Sequence, residues 1–153
     1  WVSAQTVRAN GAEGTILNHA EHKISLQQLE ECLTIAKENG LMTVVCADSV
    51  NEAKAIARLG VSPEFIAIEP PELIGGKVSV SEAKPEVVSA AVDEIRKIKN
   101  MPVLCGAGVN NAGDVTKALE LGASGVLVSS AVVTSKDPKA ALLGLLRGIE
   151  TFK

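Results

Sequence analysis

The chain has 153 residues, 46% of them hydrophobic and 22% charged, with a formal net charge of −3. Enough apolar mass is present for one domain with a real core, while the interleaved, slightly acidic charge leaves no basic stripe for nucleic acid. The longest apolar runs fall far short of the ~20 residues of a membrane-spanning helix.

In chain order, short apolar runs alternate with amphipathic helices. A helical stretch over residues 2–8 closes at Asn10-Gly11, and the run Gly14 to Leu17 reads as a first strand. Ser25 and Gln28 form a capping box. They lead a helix with Leu29, Cys32, Leu33 and Ala36 on its apolar face, stopped by Gly40. Leu41 to Cys46 is the second strand. Ser49 with Glu52 reads as another capping box, opening a helix lined by Ala53, Ile56, Ala57 and Leu59. The third strand is Phe65 to Ile68. Pro85 suits the first turn of the next helix, on which Val88, Val92, Ile95 and Ile98 recur at helical spacing. Pro102 to Cys105 is the fourth strand, residues 113–121 a helix and Gly125 to Val128 the fifth strand. Asp137-Pro138 caps a last helix with Leu142, Leu145, Leu146 and Ile149 expected on its inner face.

Five continuous apolar strands, each followed by a helix, indicate a parallel sheet covered on both faces. Two architectures fit, an open doubly wound sheet or part of a (β/α)8 barrel. Both gather chemistry where strands end, and residues from several strand ends converge most naturally at the mouth of a barrel. No linker or low-complexity segment divides residues 1–153, read as one partial barrel domain. Cys32, Cys46 and Cys105 are well separated and odd in number; two of them lie in apolar runs, where a buried, inert thiol is the reading over a ligand or nucleophile, and a reduced, cytoplasmic protein fits. No charged-then-apolar leader opens the chain. Trp1 in place of Met reads as the start left by a removed leader, or as the beginning of a piece of something longer.

The strand ends carry the candidate chemistry. His19 follows the first strand, and a helical turn starting there would favour a neutral ring able to donate one N–H to a developing oxyanion. Lone histidines in such places often only cap a turn. Glu69 ends the third strand, where partial desolvation makes a carboxylate a better base. Pro70-Pro71 stiffens the backbone just beyond it, and Gly75-Gly76 loosens it again, as a closing segment over residues 70–79 requires. Gly106-Ala107-Gly108 and Ser129-Ser130 follow the last two strands, where backbone N–H groups can cradle a phosphate. A dinucleotide fingerprint fits poorly, because the third glycine, Gly113, comes too late. His19 and His22 lack the partners of a metal site, so neither metal nor cofactor is expected. His22 and Lys23 read as solvated or salt-bridging.

Together Asn18-His19-Ala20-Glu21, the run Ala67-Ile68-Glu69-Pro70-Pro71-Glu72-Leu73-Ile74-Gly75, the run Ser81-Glu82-Ala83-Lys84-Pro85-Glu86, Val103 to Gly108 and Gly125 to Ser130 resemble, in order and spacing, the archaeal triosephosphate isomerases. The resemblance covers essentially the whole chain. It implies a TIM-barrel portion with about five of eight strands, roughly two thirds of the family domain. It also implies interconversion of dihydroxyacetone phosphate and glyceraldehyde 3-phosphate in glycolysis and gluconeogenesis. Glu69 would be the base and His19 the electrophile, with Gly75, Ala107, Gly108, Ser129 and Ser130 giving N–H groups to the substrate phosphate. The 70–79 segment would be the lid. Ala20 stands where the family usually has serine, and Gly76-Lys77 where it has threonine-glycine.

The family's first strand ends in asparagine and lysine, and no N-x-K occurs in these residues. Three further βα units precede the matching point in the family. Alone, the chain is therefore expected to be weakly active or inactive, completed by those units or by a complementing chain, and the whole family protein to be a homo-oligomer. Two other readings stand beside this one: a different phosphate-binding barrel enzyme, and a non-catalytic half-barrel fragment. A Schiff-base aldolase needs a lysine ending a strand, and none is found.

Overall fold

The computed structural model describes residues 2–76 and 78–152. Trp1, and with it the reading of the chain's start, lies outside the described residues, as does Lys77 of the Gly76-Lys77 departure. Five strands form one parallel sheet: β1 (Gly14–Leu17), β2 (Met42–Ala47), β3 (Phe65–Ile68), β4 (Val103–Cys105) and β5 (Gly125–Val126). Their spatial order is their sequence order. A doubly wound sheet must reverse direction at a switch point; this one never does, so the fold is a partial (β/α) barrel. Register runs from Ile16 opposite Val44, through Val45 opposite Ile66 and Ala67 opposite Leu104, to Cys105 opposite Val126.

The helices are α1 (Ala4–Ala9), α2 (Leu26–Glu38), α3 (Val50–Ala57), α4 (Val80–Ala83), α5 (Pro85–Ile98), α6 (Ala112–Glu120), α7 (Ser130–Val133) and α8 (Pro138–Thr151), with a 3-10 turn over Pro71–Leu73. Ser25 and Gln28 close the expected capping box at α2. The main core lies between β2, β3 and β4 and the inner faces of α2, α3 and α5. It holds Leu29, Leu33, Ile56, Ile66, Ile68, Val88, Val92 and Ile95, all essentially solvent-free. A second, smaller cluster of Val109, Val115 and Leu145 joins α6 to α8. No helix among the described residues is long and apolar enough to cross a membrane.

Four expectations need correction. The fifth strand ends at Val126 rather than Val128, because β4 offers only three residues to pair with and turns away after Cys105. At α3, Ser49 Oγ accepts the Glu52 N–H, but the Glu52 carboxylate does not return to Ser49; it accepts the Asp48 N–H at 2.7 Å instead. On α8 only Leu145 of the four expected apolar residues is buried, while Leu142, Leu146 and Ile149 are 49%, 43% and 51% exposed. Helical spacing sets which residues share a face, but covering that face needs a second element, and α6 and α7 reach only part of it. Finally, the interval before Pro85 is not free of helix: Ser79 caps the single turn α4, accepting the Glu82 N–H.

Candidate active site

The site lies where the strands end. β1 stops at Leu17, and Asn18 takes a left-handed backbone, φ 57°. That conformation is uncommon outside glycine, and asparagine is among the residues that tolerate it best. The chain then closes a tight turn in which the His22 N–H donates to His19 O at 2.8 Å. The turn points the His19 ring inward and aims the Glu21 N–H at Nδ1, 3.3 Å away. A backbone N–H can only donate, so this contact gives Nδ1 the acceptor role and leaves the ring proton on Nε2. The Glu21 carboxylate also approaches Nδ1, at 3.5 Å, but its side chain is 89% exposed. The fixed backbone donor therefore outweighs it.

Glu69 is placed by pairing on both sides of β3. Its N–H donates to Ala47 O at 2.8 Å, and the Gly106 N–H donates to Ile68 O at 3.1 Å. The residue is only 5% exposed. Its Oε2 accepts no hydrogen bond from any described residue and lies 3.8 Å from His19 Nε2. That separation is too long for a hydrogen bond. A buried carboxylate oxygen without a donor calls for explanation; the glutamate that carries it lines a cavity.

The cavity has a volume of about 450 Å³ and is lined by all seven residues singled out from the sequence: His19, Glu69, Gly75, Ala107, Gly108, Ser129 and Ser130. None of the last five donates its backbone N–H to another described residue. Ser129 and Ser130 open α7, adding a helix terminus on that side. Among the described residues no lysine or arginine lines the cavity, and the backbone N–H groups are donors they offer to an anion. Ile16, Ile74, Val109, Leu127 and Val128, not singled out from the sequence, supply the apolar wall. Among the described residues no group of three His, Cys, Asp or Glu side chains stands ready to hold a metal ion.

The segment over 70–79 borders this cavity and is tied down at its far end. Pro71–Leu73 form the 3-10 turn, Glu72 pairs with Lys84, and the Val80 N–H donates to Ala107 O at 3.0 Å. The loop after β4 leaves no room for larger residues. A Cβ on Gly108, whose φ is +73°, would lie 2.2 Å from Val78 O, and one on Gly106 would lie 2.6 Å from Glu69 Oε1.

Cys46 and Cys105 are buried, and Cys32 is half-buried. Burial and the neighbouring Glu69 carboxylate push the Cys46 thiol far above the ordinary thiol range. Burial, with the charges of Asp114 and Glu69, pushes Cys105 up to about 12. Neither is a ready thiolate.

A polar cluster beneath the His19 turn escaped the sequence reading. Lys23 Nζ reaches Glu52 Oε1 at 2.8 Å and Asp48 Oδ1 at 3.0 Å, and Asn18 Nδ2 donates to Glu52 Oε1 at 2.9 Å. Lys23 had been read as solvated or salt-bridging, and it is salt-bridged. Glu52 had been read as a cap alone.

The family model for triosephosphate isomerase matches residues 1–147. Triosephosphate isomerase of Methanosarcina barkeri is 46% identical over 147 residues, 95% of this chain and 65% of that protein. The enzyme of Methanopyrus kandleri is 45% identical over 150 residues, covering 97% of this chain and 66% of that protein. This chain thus spans about 65% of the length of the curated relatives it matches. Among solved structures, a tryptophan synthase from M. tuberculosis superimposes with TM-score 0.70 at 18% identity, over 95% of this chain and 53% of that one. The tryptophan synthase alpha-subunit of Pyrococcus furiosus gives TM-score 0.65 at 21% identity, over 97% of this chain and 58% of that one. These two likenesses concern the barrel fold alone. With the family model running over nearly its whole length, the chain belongs to the triosephosphate isomerase family.

Proposed function

We propose that this chain carries the base, the electrophile and the phosphate cradle of a triosephosphate isomerase that interconverts dihydroxyacetone phosphate and glyceraldehyde 3-phosphate. The observation that carries the reading is Glu69, its buried Oε2 without a donor and 3.8 Å from His19 Nε2, lining one cavity together with His19 and five residues whose backbone N–H groups are uncommitted. Glu69 takes a proton from the carbon beside the substrate carbonyl, and the electron pair left behind forms an enediolate. The His19 Nε2–H hydrogen-bonds the oxygen on which charge develops. A proton also passes from the adjacent hydroxyl to the former carbonyl oxygen, and Glu69 returns the abstracted proton to that oxygen's carbon, so the ketose becomes an aldose with no atom gained or lost. The N–H groups of Gly75, Ala107, Gly108, Ser129 and Ser130 receive the phosphate. Residues 70–79 act as a lid of the kind known for this family, excluding water from the enediolate.

The reading places the reaction in glycolysis and gluconeogenesis in the cytoplasm, and it needs no cofactor. It treats residues 1–153 as one partial barrel domain that works with three further βα units or a complementing chain. The lysine that ends the first strand in this family belongs to that other part. The isolated chain is accordingly weakly active or inactive, and the complete protein a homo-oligomer.

The test is complementation. Joining the chain to the first three βα units of the Methanosarcina barkeri relative should yield triose phosphate interconversion, and Glu69→Gln should lower its rate by about 10²–10⁴. A well-folded joined protein that turns over no triose phosphate would end this reading. Preferential binding of larger sugar phosphates would instead favour a different phosphate-binding barrel enzyme.

A further inference from the structure

The turn carrying His19 is held from beneath by groups with no part in proton transfer. Asn18, directly before the histidine, is 4% exposed and uses its whole side chain. Nδ2 donates to Cys46 O and to Glu52 Oε1, each at 2.9 Å, and Oδ1 accepts the Ile24 N–H at 3.1 Å. Lys23, near the other end of the same turn, donates to Glu52 Oε1 at 2.8 Å and Oε2 at 2.9 Å. Glu52 Oε2 also accepts the Asp48 N–H at 2.7 Å. One carboxylate thus gathers both ends of the 18–23 segment and ties them to the turn after β2.

The N-terminus of α3 does not need this carboxylate, because Ser49 Oγ already caps it. Burial disfavours the charged form of Glu52, but the Asp48 N–H, Lys23 and Asn18 outweigh it and hold the group below the ordinary carboxylate range. A glutamine in its place would have one acceptor oxygen and an NH2 group facing donors. The cluster is charged, half-buried and fully engaged, and such networks fix geometry more than they add stability.

We infer that Glu52 is a positioning residue for His19: by clamping Asn18 and Lys23 it fixes the turn that sets the Glu21 N–H against Nδ1, and so the Nε2–H tautomer and the direction of the ring. This inference rests on the isomerase reading for its importance, but its geometry is tested without substrate.

The experiment is nitrogen-15 NMR of the two histidine rings in the full 153-residue chain at about pH 8, above the titration of an ordinary imidazole. A His22→Gln variant assigns the signals. The unsubstituted chain should show His19 as one neutral tautomer protonated at Nε2. In Glu52→Gln the two ring nitrogen shifts of His19 should converge as the tautomers mix. Lys54→Gln, on the same helix as Glu52, breaks the 2.6 Å pair with Glu94 of α5 and should leave them unchanged. An unaltered His19 ring in a folded Glu52→Gln chain overturns the inference, as does equal convergence in Lys54→Gln. Where Glu52→Gln does not fold, Lys23→Gln replaces it: a smaller convergence supports the clamp and none overturns it. Adding 2-phosphoglycolate, a mimic of the enediolate, separates the two readings. A His19 ring that ignores this ligand once the chain is joined to the three further βα units counts against the isomerase reading, while the ligand-free spectra of the 153-residue chain still decide the role of Glu52.

Discussion

Gly106 and Glu69 are packed so closely that a methyl group on Gly106 would lie 2.6 Å from Oε1, 3.1 Å from Cγ and 3.2 Å from Cδ of the glutamate. The two residues end neighbouring parallel strands, β3 and β4, in register through Ile68 and Cys105. The missing side chain of one makes the space for the reactive end of the other.

Gly106→Ala should therefore move the carboxylate rather than unfold the protein, because the atoms it meets belong to a side chain that can turn. A base displaced by about an ångström loses on the order of 10²-fold in rate, while stability should change by only about 1 kcal/mol. Turnover of the joined enzyme and urea unfolding of the same sample measure the two effects. A variant that turns over at the parent rate would show that Glu69 has slack at this point.

Gly108→Ala should behave in the opposite way. Its φ of +73° disfavours any Cβ, and the clash is with Val78 O, a backbone atom 2.2 Å away. Strain and clash together should cost about 1–3 kcal/mol and detach residues 78–80 from the loop after β4. Urea midpoints together with amide exchange at Val80 would detect this. Unchanged protection of the Val80 amide would contradict it.

Acid should weaken the fold through Glu94 and Glu52. Lys54 and then Lys97 hold Glu94 down to about 2 from an ordinary 4.5. Glu52 is also lowered: burial works against its charge, but the Asp48 N–H, Lys23 and Asn18 prevail. A carboxyl depressed by folding contributes its stability above the unfolded value and loses it as pH falls through the folded one. Unfolding free energy should thus be level from neutrality down to about pH 5 and decline toward pH 2. Glu52→Gln and Glu94→Gln should each flatten that decline. Urea titrations across that range report the slope, and an unaltered slope in Glu52→Gln would defeat the argument.

The two faces of α8 should respond differently to truncation. Leu145 is 5% exposed and packs with Val109 and Val115, so Leu145→Ala should cost about 2–3 kcal/mol. Leu143, two residues earlier, is 52% exposed, and Leu143→Ala should change stability by no more than about 0.5 kcal/mol. Denaturant unfolding of the 153-residue chain distinguishes them. Equal costs would mean that the outer face is covered in solution.

Much of this arrangement was legible in the residues because it depends on local rules. Apolar runs bounded by glycine and proline placed β1 and β3 at their observed limits. The habit of barrels to put polar residues at strand ends brought His19, Glu69 and the two small-residue loops to one cavity. What escaped depended on neighbours distant in sequence. Val128 is as apolar as Val126 but lacks a pairing partner, since β4 is too short. Leu146 and Ile149 share the helical spacing of Leu145, and spacing cannot show whether anything covers a face. The single turns α4 and α7 are too short to display a period, although Ser79 three residues before Glu82 was a usable capping signal. Glu52 was hidden behind its own pattern: three residues after Ser49 it suggested a cap, whereas its partners Asn18 and Lys23 lie 34 and 29 residues away.

The turn over residues 106–108 limits how this protein can vary. Gly106 is confined by the glutamate side chain, Gly108 by a carbonyl from the segment bordering the cavity, and Ala107 between them is 6% exposed and accepts the Val80 N–H. Gly106 and Gly108 are thus each held without a side chain by a different neighbour, so no single compensating change elsewhere frees both. In a library of all substitutions along the chain, this stretch should stand out as a gap that runs on through the buried Val109, with tolerance returning at Asn110, which faces solvent. None of the three side chains performs chemistry, yet selection would read them as strictly as it reads the base.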